Sequence, residues 1–181
     1  MRYLAFCFIL FAGSACTPAP EAGKTPDTPK AYRTTQPSLL YFKNMRSSNY
    51  QQEEQKGSRI TFYTHNRLSK QTKDSLGFTP RIASDWLNDR AFLIPAWTGS
   101  QLTPSAPLTV WYDGGDSLVL DSPTPMAQTD WLLRVHELMR EGSLLYLQTG
   151  SADQHPFLRD ERLRATFSTI VKDYQRLTER E

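Results

Sequence analysis

Apolar residues recur along this chain with two different periods, and the order of those periods limits what it can fold into. In the middle the period is two. Over residues 59–65, Ile60, Phe62 and Thr64 face one way and Thr61, Tyr63 and His65 the other, the pattern of a half-buried strand. Residues 81–87 and 90–97 flank Asn88-Asp89, a pair that tolerates positive φ, so they predict a hairpin, and Pro95 confines its second strand to an edge or a bulge. Residues 108–112 and 117–121, joined through Asp113-Gly114-Gly115-Asp116, predict a second hairpin. Later the period becomes helical. Thr129 can cap a helix over 130–141 with Leu132, Val135, Leu138 and Met139 as its apolar stripe, Asp130 complementing the dipole and Gly142 at the C-cap. Residues 143–149 predict one more strand. After a cap at Asp160, Leu163, Phe167, Ile170, Tyr174 and Leu177 mark a closing helix. Strands first and helices late, linked by hairpins, predict an α+β fold: an antiparallel β-sheet or sandwich of about 6–7 strands with two helices, the last one C-terminal.

The N-terminus belongs to a different class of sequence. Arg2 supplies a positive charge, residues 3–11 an apolar stretch too short to span a bilayer as a stable helix, and Ala12, Gly13, Ser14 and Ala15 the small side chains that fit a peptidase cleft before Cys16. This pattern resembles bacterial lipoprotein signal peptides, whose lipobox is usually Leu, two small residues and Cys. Gly13-Ser14-Ala15-Cys16 departs from it at the first position, which leaves an ordinary secretory signal cleaved near Ala15, or an uncleaved anchor, as alternative readings. The resemblance implies that residues 1–15 are removed and that Cys16, acylated on its sulfur and amine, heads the mature chain. Two or three acyl chains anchor a protein stably where one does not.

Residues 16–37 then read as a lipidated cysteine and a tether, because Pro18, Pro20, Pro26, Pro29 and Pro37 stand among Ala, Thr, Lys and Glu with no apolar periodicity. In some bacteria an acidic run after the lipidated cysteine resembles a surface-export signal. Thr17-Pro18-Ala19-Pro20 carries no such run, which points to the periplasmic side of an outer membrane. Residues 38–181 suffice for one globular domain. Cys7 and Cys16 are the only cysteines, so that domain can form neither a disulfide nor a thiolate metal site and relies on packing.

The formal charge of +2 and the interleaving of Asp160, Glu161, Asp173 and Glu179 with Arg159, Arg162, Arg164, Lys172 and Arg176 give no concentrated basic face, which argues against nucleic acid. Catalytic patterns are equally thin. His136-Glu137 could begin a zinc-protease motif, but the second imidazole needed one turn on is replaced by Arg140, a cation that cannot ligate zinc. His65 and His155 lie in separate segments. No Gly-x-Ser-x-Gly is present, and Gly99-Ser100 and Gly150-Ser151 read as turns. Asp89, Asp113 and Asp116 fall in or beside predicted turns, where aspartate serves the local backbone. No catalytic residue, cofactor motif or metal-ligand spacing is assigned.

Aromatic residues remain. Trp86, Trp97 and Trp111 fall on or beside predicted strands, where core packing is the ordinary role. Trp111 is the exception, since it shares a strand face with Thr109 and Asp113 while Leu108, Val110 and Tyr112 form the more apolar face. Trp111 and Asp113 are therefore the candidate binding residues and Cys16 the candidate lipidation site. A glycine-turned hairpin, a helix ending Arg140-Glu141-Gly142, a strand and a closing helix are together similar in architecture to the second half of invasion-associated locus B proteins, whose cysteines this chain lacks. More broadly, the short aromatic segment Tyr41-Phe42-Lys43-Asn44 after the tether resembles small uncharacterised lipoproteins, and neither resemblance carries an activity. The expected partners are a membrane through the lipid anchor and an envelope protein or glycan. An enzyme whose site is assembled from scattered residues is the competing expectation.

Overall fold

The computed structural model describes residues 32–68, 77–97, 107–113, 115–149 and 154–179. Among them, eight strands form two four-stranded antiparallel sheets accompanied by three α-helices. The first sheet is a meander of β1 (Tyr50–Glu54), β2 (Ile60–His65), β3 (Phe78–Asp85) and β4 (Arg90–Trp97) in chain order. The second has the order β6-β5-β7-β8, from β5 (Leu108–Tyr112), β6 (Asp116–Leu120), β7 (Leu145–Thr149) and β8 (Gln154–Phe157). Helix α1 (Gln36–Tyr41) precedes the sheets, α2 (Pro125–Glu141) connects β6 to β7, and α3 (Glu161–Leu177) closes the chain. The α+β class expected from the order of the periods is the one observed.

Alternation along each strand sorts side chains between a core face and an outer face. Tyr63, Ile82 and Leu93 lie in one row across β2, β3 and β4 and are buried, whereas Phe62 and Phe92, one residue away, face outward and are half-buried. In the second sheet Val110 and Leu147 form the corresponding buried pair. The two sheets meet in an aromatic cluster. Phe78 of β3 packs at centroid distances of 4.9 Å on Phe157 of β8 and 5.9 Å on Phe167 of α3, and Trp97 closes on both phenylalanines of the strands. Every member of the α3 stripe is buried, with Phe167, Ile170 and Tyr174 wholly so. Asp160 caps that helix by accepting from the Leu163 amide at 2.7 Å.

Several boundaries differ from the expectation, each for a local reason. Helix α2 begins at Pro125 with Thr124 as its cap, so Thr129 lies inside the helix and is fully buried rather than capping it. Asp130, expected to serve the dipole, accepts a 2.7 Å hydrogen bond from the Tyr32 hydroxyl. The described fold also starts before Ser38: Tyr32 and Thr34 are buried, the Thr34 amide donates to the Asp89 carbonyl at 2.8 Å, and a Thr35–Ser38 capping box opens α1. Two strands lie outside the sequence expectation. Four of the five side chains of β1 are exposed and show no apolar alternation, and β8 is short and contains Pro156.

Candidate binding site

The outer face of the second sheet holds the tryptophan singled out from sequence. Antiparallel register places Ser117, Trp111, Tyr146 and Pro156 in a row across all four strands, and Val119, Thr109, Gln148 and Gln154 in the row beside it. These residues lie on the face opposite Leu108, Val110 and Leu147, so Trp111 does point away from the core. The ring is half-buried rather than free: its indole N–H donates to the Gln148 side-chain oxygen at 2.6 Å. One strand over, the Arg159 guanidinium lies 5.1 Å from the centre of the Tyr146 ring and donates to its hydroxyl at 2.9 Å. Two aromatic rings, a proline and a guanidinium thus make a continuous surface that a ligand could lie against, with the indole and the cation held by named partners.

Asp113, at the end of the same hairpin, is fully exposed but committed locally. The Ser143 hydroxyl first, then the Leu144 amide at 3.3 Å, hold its carboxyl below the usual carboxylate range. This ties the β5–β6 turn to the segment that follows α2, and it leaves the carboxylate facing that segment instead of the aromatic row.

A second surface lies at the end of the first sheet, where the sequence suggests no role beyond packing. Trp86 follows β3 in the turn to β4 and is 57% exposed, an unusual state for tryptophan. It walls an open hollow of about 290 Å³ whose floor is Gln52, Glu54, Thr61, Tyr63 and Ser84 and whose far side is Leu39 and Lys43. The hollow exists because α1 and the helical turns after it cover only part of the core face. Tyr50, two residues before Gln52 on β1, is buried, while Gln52 and Glu54 on the same face are exposed. The sequence signal that could have found Trp86 is its nearness to Asn88-Asp89: β3 ends at Asp85, and the turn over 86–89, in which Asp89 takes a φ of +49°, carries Trp86 outside the strand.

The buried polar groups serve packing. Asp173 of α3 is 1% exposed in its side chain and takes a two-pronged contact from Arg46 at 2.8 and 3.0 Å, together with the Tyr50 hydroxyl at 2.7 Å. Burial first, then the charge of Asp173, pushes the Tyr50 phenol far above its ordinary range. His65 lies edge-on to Tyr50 and its Nδ1 accepts from the Arg67 amide at 3.3 Å, a contact that requires an unprotonated nitrogen. Burial, reinforced by Arg67, lowers its pKa. His136 of α2 sits 3.2 Å from the Ser168 hydroxyl of α3 and edge-on to Phe167. A serine–histidine pair resembles the core of a nucleophilic site, but this one lies between two packed helices, and burial followed by Arg140 lowers the pKa of the imidazole. His65, His136 and His155 stand on β2, α2 and β8, and no three His, Cys, Asp or Glu among the described residues could hold a metal ion.

Cys16 lies outside the described residues, and no helix among those described is long and apolar enough to cross a membrane. Compared with protein-family models, curated proteins and solved structures, the chain matches none.

Proposed function

We propose that this protein is a lipid-anchored binding or assembly subunit of the bacterial cell envelope, held by acylated Cys16 and acting by recognition. The observation that carries the reading is the aromatic row Ser117–Trp111–Tyr146–Pro156, a face of the second sheet that turns large rings away from the core. An outward aromatic row offers much contact area at little entropic cost, which is how binding surfaces are commonly built. The signal-like N-terminus ending at Cys16 supports the location, on the periplasmic side of an outer membrane. Radiolabelled palmitate should enter the wild-type protein and not Cys16→Ala, and the variant should leave the membrane fraction. Equal labelling of both overturns the anchor.

A glycan is the second reading for the same face, favoured by adjacent tryptophan and tyrosine rings edged by Gln148, Gln154 and Arg159. Purified peptidoglycan sacculi should then sediment the wild type and not Trp111→Ala. Equal sedimentation of both removes the glycan reading and leaves a protein partner.

A further inference from the structure

The first sheet treats its two edges oppositely. Along β4 the outward positions are closed. Leu93 faces away from β3, and its N–H donates to the Thr129 hydroxyl at 2.9 Å while its carbonyl lies 3.1 Å from the same oxygen. Two residues on, Pro95 has the same orientation and no N–H to offer. At the other end Arg33 bridges to Arg90, and the Thr34 amide fills the Asp89 carbonyl. Natural sheets close edges in these ways because an unpaired strand recruits others.

Strand β1 carries none of these devices. The Asn66 amide bonds to the Asn49 carbonyl and the Gln55 amide to the Ile60 carbonyl, so by the antiparallel alternation the odd-numbered residues face β2. The N–H and C=O groups of Gln52 and Glu54 therefore point away from the sheet, where no described residue pairs with them. The side chains of these two residues also line the hollow walled by Leu39 and Trp86. A strand added beside β1 would pair with this backbone and present alternate side chains to that hollow.

We propose that the β1 edge is a docking site for an extended segment of a partner protein in which apolar and basic side chains alternate. The apolar residues would share the face of Gln52 and Glu54 and enter the hollow against Leu39, Tyr63 and Trp86, and the basic residues, on the opposite face, would meet Glu53. Charge selects this occupant over a second copy. Antiparallel pairing of two β1 strands about Gln52 would make the two Glu53 side chains diagonal neighbours on one face, and the Arg81 guanidinium, 3.6 Å from Glu53, offsets only part of that charge. The proposal rests on the reading of an assembly subunit, but it has its own readout, since the Cys16 labelling experiment can fail without affecting peptide binding at β1.

The test uses a peptide of four Lys-Val repeats and a control of four Glu-Val repeats, titrated into the protein and followed by amide hydrogen exchange. The Lys-Val peptide should slow exchange at Gln52 and Glu54 by about tenfold or more, and the Glu-Val peptide should not. Gln52→Pro removes an outward N–H that the fold does not use and should weaken binding about tenfold, whereas Gln52→Ala should not. If Gln52→Pro does not fold, Glu53→Lys carries the test by reversing the preference between the peptides. Equal binding of both peptides, protection elsewhere than β1, or an unchanged affinity in Gln52→Pro overturns the proposal. So does a dimer in sedimentation that Gln52→Pro dissolves, because the occupant would then be a second copy.

Discussion

Trp111 and Phe167 are both large aromatic residues, and the difference in what their loss should cost measures how differently they are used. Phe167 is wholly buried among rings from β3 and α2, so Phe167→Ala leaves a cavity and should cost about 3–5 kcal/mol in a urea melt. Trp111 is half-buried on an outer face, and its truncation loses one hydrogen bond to Gln148 and part of its apolar contact, about 1–2 kcal/mol. Equal losses in the two variants would mean that Trp111 is a core residue and that the aromatic row is no recognition surface. Alternation along β5 is enough to read its outward direction from sequence. Its bond to Gln148 is not legible there, because that partner is 37 residues away and reaches Trp111 only through strand pairing.

At the scale of elements, the contact between α2 and β4 decides whether the first sheet keeps a closed edge. Thr129 shares its single hydroxyl proton between the carbonyls of Pro125, at 2.7 Å, and Leu93, while accepting from the Leu93 amide. Thr129→Val preserves shape and removes all three contacts, leaving the Leu93 N–H and C=O buried and unpaired. The variant should lose about 1–3 kcal/mol, with faster exchange of the Leu93 amide. An unchanged melt would show that water replaces the hydroxyl and that the edge is not sealed by the helix. From sequence Thr129 reads as a helix cap, since threonine before an aspartate and an apolar stripe is a common start signal. Thr124 supplies an equally good cap five residues earlier, and Pro125 suits a first helical position, so the helix lengthens and turns Thr129 inward.

For the whole molecule, the two buried histidines make stability depend on pH. Burial lowers the pKa of both His65 and His136 from the ordinary value of 6.5, so below that value the unfolded chain binds protons that the folded chain refuses. Stability is therefore complete above pH 6.5 and falls as the pH drops through it, at up to about 1.4 kcal/mol per pH unit for each histidine, until the folded-state values are reached. Urea midpoints should fall between about pH 7.5 and 5.5, and His136→Gln should flatten the slope by roughly half its value. A midpoint that does not change over this interval would place both imidazoles in contact with water.

By itself the sequence determined whatever depends on neighbours a few residues apart. The α3 stripe repeats at the helical period, the two glycine- or Asp-containing hairpins reverse within a few residues, and β5 alternates, so each element and its buried face follow from local geometry. Tertiary structure alone decided what depends on residues distant in the chain. The Arg46–Asp173–Tyr50 cluster joins side chains 127 and 123 positions apart. The hollow beside Trp86 forms where α1 stops short of the end of the sheet, and β1 becomes an open edge only because β2 pairs with it on one side and nothing described pairs on the other. Burial and pairing at those sites are properties of the assembled sheet, and an edge strand of Gln and Glu carries no periodic signal that would announce it in advance.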